Sequence, residues 1–107
     1  MISHLKKISK ELFISEQQVN TTITLLDEGA TIPFISRYRK ELTGSLDEVQ
    51  VASIRDRVQQ LRELDKRREA ILKSMRDLDK LSPELEKQIN EAETLTLLED
   101  IYLPYRP

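Results

Sequence analysis

GATIPFISRYRKELTGSLDEVQ, residues 29–50, contains both glycines of the 107-residue chain. A glycine after a helical pattern accepts the left-handed backbone that ends a helix, so Gly29 and Gly44 are predicted stops. Between them Thr31 and Pro33 open a helix, because a proline in the first turn sacrifices no intrahelical hydrogen bond. Phe34, Ile35, Tyr38 and Leu42 then form an apolar stripe, which predicts one short helix reaching Gly44 with an aromatic inner face and a basic outer one. Ser45 and Glu48 have capping-box spacing, and Asp47 and Glu48 complement the positive end of a helix dipole. A long helix is therefore predicted from Leu46.

Upstream, Leu5, Ile8 and Leu12 recur at spacings of three and four, placing them on one face of a first helix. Ser15 and Gln18 form a capping box ahead of Val19, Ile23 and Leu26, which predicts a second helix over residues 16–28. Two short helices joined by a tight turn make a helical hairpin or the start of a helix-turn-helix-like unit.

Downstream, the long helix carries Val51, Ile54, Val58, Leu61 and Leu64, a charged gap over residues 65–69, then Ile71, Leu72, Met75 and Leu78. It is expected to end near Asp79, about 50 Å from its start. That length implies exposed apolar side chains among Ile71, Leu72, Met75 and Leu78, and hence self-association. The pairs Glu63–Arg67, Glu69–Lys73 and Lys73–Asp77 have the spacing to support it. Ser82 and Pro83 start a helix over residues 83–91 that turns back along the long one. Thr94 or Thr96 opens a last helix bearing Leu97, Leu98, Ile101 and Tyr102, which Pro104 ends. LPYRP reads as an extended exit toward a further domain.

The fold class is thus all-α: short helices around a long helix, a helical bundle with helix-turn-helix-like elements. The sub-units are residues 1–44, a short-helix unit; 45–80, the long helix; and 81–107, returning helices and an exit linker.

Composition narrows the chemistry. With 38% hydrophobic and 34% charged residues the chain buries a modest core. The absence of cysteine removes disulfides and thiolate metal sites, and the single histidine, His4, has no clustered ligands beside it. The serines lack a second histidine as base, and the isolated glycines do not form a phosphate loop. No catalytic residue, metal or cofactor is expected. The start of the chain lacks the apolar run and cleavage site of a signal peptide, and no stretch nears the ~20 apolar residues that span a bilayer. A cytoplasmic protein without membrane contact is expected.

A net charge of −2 gives no global basic field, so any contact with nucleic acid must be local. Residues 55–80 are predominantly basic and residues 81–100 predominantly acidic, a pattern in which the two segments attract. Arg37-Tyr38-Arg39-Lys40 is the arrangement best suited to nucleic acid, with cations for phosphates and a ring for stacking. Spacing favours Tyr38 as a packed residue. Arg37 and Arg39 stay open between phosphate contact and carboxylate pairing within a longer polypeptide. For Lys66, Arg67 and Arg68 a solvated face is the leading reading and a weak nucleic-acid surface the sharper one.

Residues 29–50, together with LRELDKRREAILKSM and the closing LTLLEDIYLPYRP, resemble the N-terminal region of the Tex-type transcription accessory proteins. The resemblance covers nearly the whole chain, and its best-matched block includes Pro33, Phe34, Arg37, Tyr38, Arg39, Lys40, Glu41, Thr43 and Gly44. It implies a longer cytoplasmic parent with an RNase H-like domain, helix-hairpin-helix elements and an OB-fold that carries much of the RNA binding. The partners it implies are nucleic acid, chiefly RNA through domains beyond this segment, the remaining domains of the same polypeptide and the transcription machinery. It brings no catalytic residue. The segment is then either an auxiliary surface for nucleic acid or transcription machinery, with Arg37, Arg39 and Lys40 as its contact residues, or a structural scaffold docking onto later domains.

Overall fold

The computed structural model describes residues 2–107, with side chains from His4 onward. Among the described residues there are seven α-helices, one 3-10 turn and no strand. The all-α expectation holds. The chain forms two compact units, Met1–Leu61 and Arg62–Pro107.

Unit 1 contains α1 (Ile2–Leu12), α2 (Glu16–Asp27), α3 (Ile32–Tyr38), α4 (Lys40–Thr43) and the first half of α5 (Glu48–Asp77). Its core gathers Ile8 and Ile14, Val19 and Ile23 of α2, Ile35 of α3, Leu46, and Val51, Ile54, Val58 and Leu61 of α5, with Leu5 and Leu12 packed at the edge. Full burial of an aliphatic side chain stabilises by roughly 1.5–3 kcal/mol, so these positions dominate the unit's stability.

The polar joints follow the predicted caps. The Ser15 hydroxyl accepts from the Gln18 N–H at 3.1 Å, and Gln18 Oε1 accepts from the Ser15 N–H at 3.2 Å. Gln18 also reaches across the unit: its Nε2 donates to the Thr43 carbonyl at 3.0 Å and, more weakly, to that of Gly44 at 3.5 Å. Gly44 turns at φ +70°, and a Cβ there would lie 2.6 Å from Gln18 Nε2. Glycine takes the left-handed turn without strain, and a Cβ there would displace the Gln18 amide.

Two expectations for residues 29–50 fail. The predicted single helix is broken at Arg39, whose φ of −129° and ψ of 28° separate α3 from α4. Its inner face is not the aromatic stripe: Ile35 and Ser36 are buried with Ile32 packed alongside, whereas Phe34, Tyr38 and Leu42 are 37%, 62% and 50% exposed. Ile32, Ile35 and Ser36 have helical spacing of their own, and the core selected that face.

The long helix also starts later than predicted. Ser45 is left-handed at φ 67°, continuing the Gly44 turn, and a residue in that conformation cannot serve as an N-cap. Asp47 takes the role: its N–H donates to Gln50 Oε1 at 3.0 Å, and its Oδ1 accepts from the Gln50 N–H at 2.8 Å. Leu46, freed from the helix, is buried instead, and its N–H donates to the Thr43 hydroxyl.

Unit 2 comprises the second half of α5, α6 (Pro83–Glu91), α7 (Leu95–Tyr102) and the 3-10 turn Leu103–Tyr105. Ser82 caps α6 as predicted, and of the two candidates Thr94 and Thr96 it is Thr94 that caps α7; they accept from Leu85 N–H and Leu97 N–H at 3.1 Å each. Leu64, Ile71, Leu72 and Met75 pack with Leu85, Ile89, Ala92, Leu98 and Tyr102. Ile71, Leu72 and Met75 are thus covered by α6 and α7, and the exposure expected among this group falls to Leu78, at 38%. Within this group the expectation of self-association rests on Leu78.

Candidate nucleic-acid interface

Arg37, Arg39 and Lys40 fall around the break between α3 and α4. Arg37 and Lys40 are exposed and Arg39 is half-buried. Among the described residues Arg37 and Lys40 make no ion pair. At the break, the Arg39 guanidinium lies 4.6 Å from the centroid of the Phe34 ring, and Nη1 donates to the Tyr38 carbonyl at 2.8 Å. A cation over an aromatic face is held electrostatically by the ring quadrupole.

Phe34 and Tyr38, one helical turn apart, form a pair with centroids 5.6 Å apart and planes at 49°. The edge thus combines two solvent-facing rings with three cations and one exposed carboxylate residue, Glu41, in α4. Rings offer stacking faces and the cations offer charge to phosphate oxygens. Sequence reading found the cations but placed Tyr38 inside; the competing spacing of Ile32 and Ile35 was the signal that would have turned the aromatic pair outward.

The second basic run behaves differently. Lys66 is exposed, while Arg67 and Arg68 are half-buried and bonded within unit 2. Arg67 holds Glu99 of α7 with two bonds, Nε–Oε2 at 2.6 Å and Nη2–Oε1 at 2.9 Å, and lies 5.5 Å from the Tyr102 ring centroid. The hydrogen bonds from Arg67 hold the Glu99 carboxyl below its usual range, and Glu99 in turn raises Arg67. Arg67 takes this partner in place of the predicted Glu63, while Lys73–Asp77 forms as predicted at 3.2 Å. Arg68 donates to the carbonyls of Ile89 and Ala92 at 3.1 and 2.6 Å and to Asp65 at 2.9 Å. Those carbonyls lie at the C-terminal end of α6, where no further helical turn supplies donors. The expected attraction between the basic and acidic segments is realised in the Arg67–Glu99 pair.

Among the described residues no group of three or more His, Asp or Glu side chains is placed to hold a metal ion. Among the described residues no helix is long and apolar enough to cross a membrane.

Residues 2–76 match the family model described as the Tex-like protein N-terminal domain. The chain belongs to the Tex family. It is 51% identical over 100 residues to the transcriptional accessory protein Tex of Neisseria gonorrhoeae, covering 94% of this chain and 13% of that protein. Protein YhgF of Escherichia coli is 49% identical over 105 residues, covering 98% of this chain and 14% of YhgF. More distantly, the S1 RNA-binding domain-containing protein 1 of Pongo abelii is 30% identical over 99 residues, covering 92% of this chain and 10% of that protein. The Tex-family segment described here thus spans about an eighth of the relatives' length, and within it the aromatic and basic edge lies inside the part matched by the family model.

Proposed function

We propose that the α3–α4 edge is an auxiliary contact surface for single-stranded nucleic acid, RNA above all, within a transcription accessory protein acting in the cytoplasm. In this reading the chain is a binding module and performs no reaction. Phe34 and Tyr38 stack on bases while Arg37, Arg39 and Lys40 engage phosphates. The observation that carries the reading is the exposed Phe34–Tyr38 pair with the Arg39 guanidinium set over the Phe34 ring. A core residue pair would be covered, and a purely solvated helix face would not present two rings.

Salt dependence tests it. Fluorescence anisotropy with a labelled oligouridylate of about 4 nucleotides should show binding that weakens with salt at a slope of roughly −2, the value for three phosphate contacts on a single strand. Phe34→Ala/Tyr38→Ala should lower affinity by at least about tenfold, since stacking on each base contributes roughly 1–3 kcal/mol. No binding at low salt would sink the reading.

A second reading, docking of this face onto later domains of the same polypeptide, is favoured by the exposure of Leu42 and Val49, at 50% and 73%. It predicts that Leu42→Ser/Val49→Ser disturbs the full-length protein while oligonucleotide binding by the 107-residue chain is unchanged.

A further inference from the structure

Among the described residues Phe13 is the most exposed large apolar side chain, at 95%, and its backbone is left-handed at φ 57°. It sits just past α1, where the Ile14 N–H reaches back to the Ser9 carbonyl at 3.3 Å and the Ser9 hydroxyl donates to the Ile14 carbonyl. This is the helix-ending position that glycine fills without steric cost. Phenylalanine there incurs both a strained backbone and a ring left in water. Neither cost is offset by a contact in the core of unit 1, where the cluster includes Ile8 and Ile14 on either side of Phe13 but not Phe13 itself.

Lys6 and Lys10, four residues apart on α1, share a face and are both exposed. The carboxylate of the same helix, Glu11, is occupied by Arg57 through bonds of 2.6 and 3.0 Å, which leaves this side of α1 positive in a chain whose net charge is −2. Two residues beyond Phe13, Ser15 caps α2, and Gln18 in the first turn of α2 is bonded to the end of α4 at Thr43. Through that bond the start of α2 is tied to α4, a single turn that opens with Lys40.

We propose that Phe13, flanked by Lys6 and Lys10, is a second stacking point for the same single strand, extending its path from the Phe34–Tyr38 pair to the α1–α2 corner. The inference rests on the reading of that edge as a nucleic-acid surface. Two points on one strand add through effective concentration, so the second matters only when the strand is long enough to reach it.

The experiment compares fluorescein-labelled oligouridylates of about 4 and about 12 nucleotides, lengths bracketing the site sizes of single-strand binding surfaces. Phe13→Gly is the informative variant, because glycine relieves the left-handed strain and its thermal midpoint should equal or exceed that of the wild type. Its affinity for the longer strand should fall about tenfold while the shorter strand is unaffected. Lys6→Ala/Lys10→Ala should reduce the salt slope on the longer strand by roughly 1.4. If Phe13→Gly binds the longer strand as the wild type does, while Phe34→Ala/Tyr38→Ala weakens it, the extension is wrong and the edge stands. If the wild type binds neither oligonucleotide at low salt, both fall. Should light scattering show that Phe13→Gly abolishes association between copies of the chain without altering oligonucleotide binding, Phe13 is a contact between copies and the proposal is overturned.

Discussion

Arg37-Tyr38-Arg39-Lys40 in unit 1 and Lys66-Arg67-Arg68 in unit 2 are close in composition and opposite in use. In unit 2 the cations meet acceptors: Arg67 finds the Glu99 carboxylate, and Arg68 finds two carbonyls at the end of α6. In unit 1 Arg39 meets the neighbouring Tyr38 carbonyl and the Phe34 ring, while the Thr43 and Gly44 carbonyls are taken by Gln18. What a basic run does is decided by the backbone ends brought to it. A functional surface is better sought where cations remain without carboxylates than where they are most numerous.

The largest expected effect that sharpens this comparison is Arg68→Ala. It strips donors from the Ile89 and Ala92 carbonyls, and at about 1–3 kcal/mol for each unsatisfied group a loss of about 2–3 kcal/mol from unit 2 is expected. Hydrogen exchange should accelerate at α6 amides while α1 and α2 are unchanged. A protected α6 in that variant would break the assignment of Arg68 as a structural residue.

Glu99→Gln should cost less, about 0.5 kcal/mol, because both partners are more than a third exposed and solvent screens the pair. The pH dependence has a defined sign. Arg67 depresses the folded-state Glu99 pKa below its unfolded value near 4.3, so the contribution is fully present above that pH. It fades as pH falls through the lowered folded value. Thermal midpoints of wild type and Glu99→Gln should therefore differ steadily from pH 5 to 8 and converge below about pH 4; a gap that widens in acid would contradict the pairing.

The smallest effect belongs to unit 1. Arg37→Ala and Lys40→Ala should each shift stability by no more than about 0.5 kcal/mol, the range for surface substitutions away from structural contacts. A thermal midpoint lowered as far as in Arg68→Ala would erase the distinction between the two runs.

Local chemistry was the legible part of this fold. Ser15, Thr31, Ser82 and Thr94 all cap where their neighbours in sequence said they would, because a cap is settled within four residues. Ser45 failed for a reason equally local but read only from the backbone: the turn at Gly44 extends one residue further and passes the cap to Asp47. The exposure of Tyr38 and the burial of Ile71 and Met75 depend on which face the rest of the chain covers, and the apolar pattern offered two answers at each place. At the candidate site the cations were visible as residue types, while Phe13 was silent, since nothing in the sequence marks a phenylalanine in the left-handed region.

The amide of Gln18 has a consequence for substitution at that position. Glutamate and glutamine are interchangeable as the third-position partner of a capping box, because each offers an oxygen to the N-cap N–H. Here the other half of the group must be a nitrogen, facing the Thr43 carbonyl at 3.0 Å. Glutamate would preserve the start of α2 and set oxygen against oxygen at the far side of the unit, so one atom's identity couples the spelling of residue 18 to that of a turn some 25 residues away.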